Sequence, residues 1–199
     1  MVTAADVRIR RLSDSGFTLV DLLIYISFMV VVLLIVGGML INSLKTERTV
    51  RNATQAANAG QLVAQSVSQG VRNASALKIT TPSTGTELLT VRTASLTTPQ
   101  VWLCQAWYFG AGEVRTKTSN TLIQGADFAT WTLLGTGMQP VSGGPIFSST
   151  PVINPRGVTL NLDVRTVNGQ PIRISSSAIS LQPLPVPVPI TGLVGLPCF

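Results

Sequence analysis

Histidine is absent from this chain of 199 residues. That removes every mechanism needing a histidine base, a His-ligated metal or an imidazole switch near neutral pH. Charge is also scarce: charged residues make up 11%, against about 25% in an ordinary soluble protein. Disorder needs high charge and low hydrophobicity, so a solvated tail is excluded as the nature of the whole chain. The net charge of +6 reflects few acids, 8 against 14 bases, more than many bases. It does not by itself mark a nucleic-acid binder, which concentrates Lys and Arg on one face. Cysteine occurs twice, at Cys104 and Cys198. Two thiols allow one disulfide, but not a structural zinc site with four Cys/His ligands. Residues 77–199 hold only four acids, Glu87, Glu113, Asp127 and Asp163, and nothing pairs two of them for acid–base work. The glycine pairs Gly110-x-Gly112 and Gly135-x-Gly137 lack the lysine and hydroxyl of a phosphate loop. No serine stands in a G-x-S-x-G elbow. The expectation is a protein that is not an enzyme and carries neither cofactor nor metal.

What the chain does have is a long apolar run. Leu22 to Ile41 is 20 residues without a charge, behind a polar leader that carries Arg8, Arg10 and Arg11. As a helix, that run spans roughly 30 Å, the thickness of the hydrocarbon core of a bilayer. A secretory signal has a shorter apolar run and a small-residue cleavage site after it, which INSLKTERTV does not supply. Lys45, Arg48 and Arg51 balance the leader arginines, so charge alone leaves the orientation open. Asp21 stands directly against the apolar run. An ionised carboxylate at membrane depth costs a few kcal/mol, which marks it as functional unless it merely sits at the interface.

Gly16-Phe17-Thr18-Leu19-Val20-Asp21, after a basic leader and before the apolar run, resembles the cleavage and methylation motif of type IV prepilins and type II secretion pseudopilins. The resemblance is carried by residues 16 to about 44. It implies that a prepilin peptidase cuts between Gly16 and Phe17 and methylates the new amine of Phe17. It also implies that the leader starts in the cytoplasm, that the rest faces outwards, and that an assembly platform and motor draw the subunit from the cytoplasmic membrane into an extracellular or envelope filament. In the family the fifth mature residue is a glutamate that pairs with a neighbouring subunit's N-terminal amine. Asp21 stands there in this chain, keeping the charge but one methylene shorter.

Downstream, residues 42–76 lack proline and repeat small or apolar residues at Val50, Ala53, Ala57, Gly60, Val63, Val67, Val71 and Ala74. That spacing predicts one helix from about Thr18 to about Ala76. Gly37-Gly38 inside it is either a bend or a place where neighbouring helices approach. From Thr80 the pattern turns to β. Leu89, Val91 and Thr93 read as a strand, Val101–Phe109 as a central strand, and Gly110–Gly112 as a turn into Glu113–Thr118. Val158, Leu160, Leu162 and Val164 alternate with polar residues before a turn at Asn168-Gly169 into Pro171–Ile174. The run Pro183–Pro189 reads as extended chain laid over the domain. The expected fold is therefore α+β and pilin-like: leader 1–16, membrane and assembly half of the helix 17–41, amphipathic half 42–76, and a mostly antiparallel β head 77–199. Its general layout resembles minor pilins and pseudopilins.

Three further readings concern the head. Cys104 and Cys198 read as a disulfide in an exported domain, the alternative being two buried thiols. Arg115 and Lys117, on one strand face, are either part of an anionic-ligand patch for DNA or a surface polymer, or a solvated and protective edge. Trp102, Trp107, Tyr108 and Trp131 either stack on bases or fill the core. The function expected is a filament subunit. The alternatives are a tip subunit that binds DNA or a surface, and an anchored protein that never polymerises.

Overall fold

The computed structural model describes residues 18–95, 101–123, 127–150, 155–167, 169–182 and 198–199. The leader with Gly16 and Phe17, the turn residue Asn168 and the proline-rich run Pro183–Pro189 lie outside the described residues. The architecture is α+β, one long N-terminal helix followed by antiparallel sheets. Helix α1 runs from Leu19 to Arg72, 54 residues, and continues through Gly37-Gly38 without a break. The chain divides into two compact units, residues 1–47 and 48–199.

In the first unit every large apolar side chain from Leu19 to Leu44 is exposed. By length and composition α1 is apolar enough to cross a membrane.

Among the described residues, the second unit contains the rest of α1 and nine strands. Strands β1 (Ala74–Thr80), β2 (Glu87–Ala94), β3 (Trp102–Gly110), β4 (Glu113–Ser119) and β5 (Thr132–Thr136) form an antiparallel meander in that order. The segment expected as a central strand is found as β3 at the middle of this sheet, where its aromatic side chains fit a largely buried pleated surface. At the β3–β4 turn Ala111 and Gly112 both have positive φ, 51° and 78°. This is the handedness a two-residue hairpin needs. A second sheet has β8 (Gly157–Val164) at its centre and β9 (Ile172–Ile179) on one side. The short strands β6 (Met138–Pro140) and β7 (Phe147–Thr150) pair with the other ends of β8. Val158, Leu160, Leu162 and Val164 all point into the core, as their alternation requires.

Two expectations about the helix need correction. It ends at Arg72 rather than near Ala76, because the chain turns at Asn73 and Ala74 begins β1 by pairing with Thr93. The freed carbonyl of Arg72 is taken by the Leu181 N–H, and that of Ala74 by the Ser180 hydroxyl. These tertiary partners outweigh a helical pattern that Ala74 extends only nominally. The buried stripe is Ala56, Gly60, Val63, Val67, Gly70 and Val71, while Val50 is exposed and Ala53 and Ala57 are only half-buried. Burying one valine fully is worth about 1.5–3 kcal/mol. Val63, Val67 and Val71 thus form the main adhesive face of this part of the helix.

The two sheets are joined at Glu87, the first residue of β2. Its carboxylate accepts the backbone N–H groups of Ile146 at 2.8 Å and Phe147 at 2.7 Å. Glu87→Ala leaves two part-buried donors without an acceptor, at about 1–3 kcal/mol for each unsatisfied group. The expected result is a fall in urea midpoint equivalent to about 2–4 kcal/mol with an unchanged slope. Glu87→Gln, with one carbonyl oxygen left, should lose less. Equal midpoints for Glu87→Ala and the parent chain would show that the clamp carries no stability.

Candidate functional site: the head of the apolar helix

Thr18 and Asp21 begin α1. The Thr18 N–H donates to Asp21 Oδ2 at 3.2 Å, and the Thr18 hydroxyl donates to the same oxygen at 2.7 Å. In return the Asp21 N–H donates to Thr18 Oγ1 at 3.3 Å. The Leu22 N–H meets the Thr18 carbonyl at 3.3 Å, which starts the helical ladder. This is a capping box with Thr18 as N-cap and an acid at the third helical position. It satisfies donors that would otherwise be orphaned just before an apolar run. The acid also sits where the positive end of the helix dipole favours it. Sequence reasoning missed Thr18, although its signal, Thr-x-x-Asp ahead of an apolar segment, was present.

Both bonds to the carboxylate fall on Oδ2. Oδ1 has no hydrogen-bond partner among the described residues. Asp21 therefore caps its own helix with one oxygen and presents a second. Gly16 and Phe17, the expected cleavage pair, lie outside the described residues.

In the head, Arg115 is held by partners within the chain. Its Nε donates to Glu113 Oε2 at 2.8 Å, and one terminal nitrogen pairs with the same oxygen at 2.7 Å. The other terminal nitrogen donates to the carbonyls of Ala129 at 2.9 Å and Trp131 at 3.1 Å. It fastens the segment around the short helical turn Phe128–Thr130 to the outer face of the first sheet. Lys117 lies over the Trp131 ring, 5.9 Å from its centroid. Tyr108, Phe128 and Trp131 form one aromatic cluster, with Tyr108 stacked on Phe128 at 3.7 Å. Trp107 and Trp131 are buried, whereas Trp102 is 44% exposed.

Cys104 and Cys198 are joined by a disulfide. Around it Leu88, Ala106, Ile123 and Trp131 form a small second core, with Phe199 packed against it. A cleft of about 360 Å³ opens between the helix at Asn52 and Gln55, strand β5 and the segment after β8, with Arg165 as the one ionisable lining residue among the described residues.

No protein-family model, curated protein or solved structure matches the chain.

Proposed function

We propose that this chain is a structural subunit, of the minor pilin or pseudopilin kind, of a type IV pilus-like or type II secretion-like filament. The observation that carries the reading is the head of α1. A Gly-Phe junction precedes a capped acid, and that acid opens an uncharged run of 20 residues within a single 54-residue helix. The antiparallel β head that follows supports the same layout. In this reading a prepilin peptidase removes residues 1–16 at the cytoplasmic face and methylates Phe17. The helix is stored in the membrane and then passes from lipid to the helices of other subunits as assembly machinery withdraws it.

Asp21 sets the register. A positive N-terminal amine and a carboxylate are each costly in a low-dielectric layer and much less so together. Oδ1, unused by the cap, is the oxygen that would receive a neighbour's amine. The pair would then fix one sliding position between apolar helices, as a single polar residue does in a coiled coil.

The test separates charge from cap. Asparagine still offers an oxygen to the Thr18 N–H but has no charge. Removing one partner of a buried pair costs about 3–5 kcal/mol, so Asp21→Asn should reduce filament incorporation far more than tenfold at unchanged membrane level. Asp21→Glu should retain it. Equal incorporation of Asp21→Asn and parent would overturn the role given to Asp21. Intact mass of protein from its native membranes checks the processing step: the expected chain starts at Phe17 with one added methyl group. A chain that starts at Met1 beside an active peptidase would sink the filament reading.

A further inference from the structure

Strand β5 is an edge of the first sheet. β4 pairs with one side of it, and among the described residues no strand pairs with the other. An open edge presents a row of backbone N–H and C=O groups, which proteins commonly protect with charge or proline. The opposite edge of the same sheet, β1, carries an exposed lysine, Lys78. β5 reads Thr-Leu-Leu-Gly-Thr and has neither a charge nor a proline. Its ladder to β4 shifts register once, between Gly135 and Leu133, and the extra residue, Leu134, packs on the main core.

The open edge borders a cavity. Four consecutive residues, Leu133–Thr136, form one wall of the cleft of about 360 Å³, and Asn52, Gln55, Ala56 and Ala59 of α1 form another. The strand comes close to the helix because position 135 is glycine: a Cβ there would stand 3.5 Å from Ala59 Cβ. The volume lies at the lower end of the roughly 300–1,000 Å³ of ligand clefts, which suits a short segment of chain. Two lining side chains are apolar and exposed, Leu133 at 45% and Val167 at 73%. Arg165 stands past the C-terminal end of β5, where its N–H donates to the Gly137 carbonyl at 2.8 Å. Its side chain is exposed, and no acid lines the cleft among the described residues. A carboxylate brought into the groove therefore meets a cation and no repulsion, whereas a lysine would be repelled.

We propose that the groove between β5 and α1 docks an extended peptide segment of a partner protein, which adds a strand to β5 and sets an aspartate or glutamate side chain against Arg165. Main-chain hydrogen bonds to the open edge supply the affinity, and Leu133, Val167 and Arg165 supply the choice of sequence. The groove does not involve Asp21, and its test reads the same whether or not the chain forms filaments.

The experiment follows the backbone amide resonances of Leu133, Gly135, Thr136 and Arg165 in the ¹⁵N-labelled full chain in detergent micelles. The probe is the peptide acetyl-Thr-Val-Thr-Val-Glu-amide. It should shift these resonances saturably, with half-saturation at about 1 mM or below, and slow hydrogen exchange at the β5 amides directed away from β4. Two forms of the peptide, each N-methylated at alternate backbone positions, separate strand addition from mere contact. Only one set of amides faces β5, so one form should bind about tenfold more weakly and the other as the unmodified peptide does. Arg165→Gln should weaken the acidic peptide about tenfold and leave its glutamine counterpart unchanged, at an unchanged unfolding midpoint. Resonances unmoved by about 5 mM peptide, or methylated forms that bind equally, overturn strand addition. An Arg165→Gln chain that still prefers the acidic peptide overturns the choice of partner. Glutarate that binds as tightly as the peptide would make the cleft a small-anion site, and edge shifts that grow with protein concentration alone would give the edge to a second copy. Either result overturns the proposal.

Discussion

Gly70→Val should destabilise the head by several kcal/mol, although it replaces a poor helix former with a better one. A Cβ at position 70 would lie 2.1 Å from Trp107 Cη2 and 2.8 Å from Cζ2. Those atoms have nowhere to go. Trp107 is fully buried at the centre of the first sheet, and its indole N–H is fixed to Ser66 Oγ at 2.9 Å. Relief of the glycine penalty in a helix returns at most about 1 kcal/mol. Overpacking costs about 1–3 kcal/mol where neighbours yield, and here the neighbour is an anchored indole, so the clash decides the sign. Gly70→Ala should lose about 2 kcal/mol net, seen as a lower urea midpoint, while Gln69→Ala on the exposed face of the same turn stays near neutral. Trp107→Phe removes the very atoms in contact. The pair Gly70→Ala with Trp107→Phe should therefore be more stable than the sum of the single losses. Strict additivity in that cycle would mean that the helix does not approach the sheet as described.

The same contact shows why part of the fold was legible and part was not. Long-period signals are written in one segment and survive translation into structure. The uncharged run from Leu22, the alternation from Val158 to Val164 and the aromatic strand ending at Phe109 each fall within the elements found. Pairings between distant segments leave no such local trace. Gly70 looks like any weak point of a helix until Trp107, 37 positions later in the chain, is laid across it. Ala74 continues a helical stripe by spacing, yet its place is decided by Thr93 and Ser180. Arg115 looks free in sequence because its partners, the carbonyls of Ala129 and Trp131, belong to backbone that no side-chain pattern announces. At the head of the helix the signal was local and was only half read: Asp21 stood out by its charge, whereas Thr18, three residues earlier, completes the cap.

Loss of the Cys104–Cys198 bond should have the other large effect. The two cysteines are 94 positions apart, and closing a loop of that size contributes about 4–5 kcal/mol in the chain-entropy account. Reduction also frees Cys198 and Phe199 from the second core, where they lie with Leu88, Ala106 and Trp131. Engineered and native bonds often deliver less than the entropy figure, so about 2–4 kcal/mol is the expected loss. For a head of this size that corresponds to a drop in Tm of about 10 °C. Cys198→Ser in the full chain should reproduce the effect of reductant, and reductant should then add nothing further. Trp131 emission should shift to longer wavelength in both cases, because the indole is 4% exposed only while that end of the chain is fastened. A Tm that reductant moves by less than about 2 °C would assign the second core to aromatic packing among Tyr108, Phe128 and Trp131 and leave the bond incidental. A full effect ties the stability of the head to an oxidising compartment, the side of the membrane on which the filament reading places it.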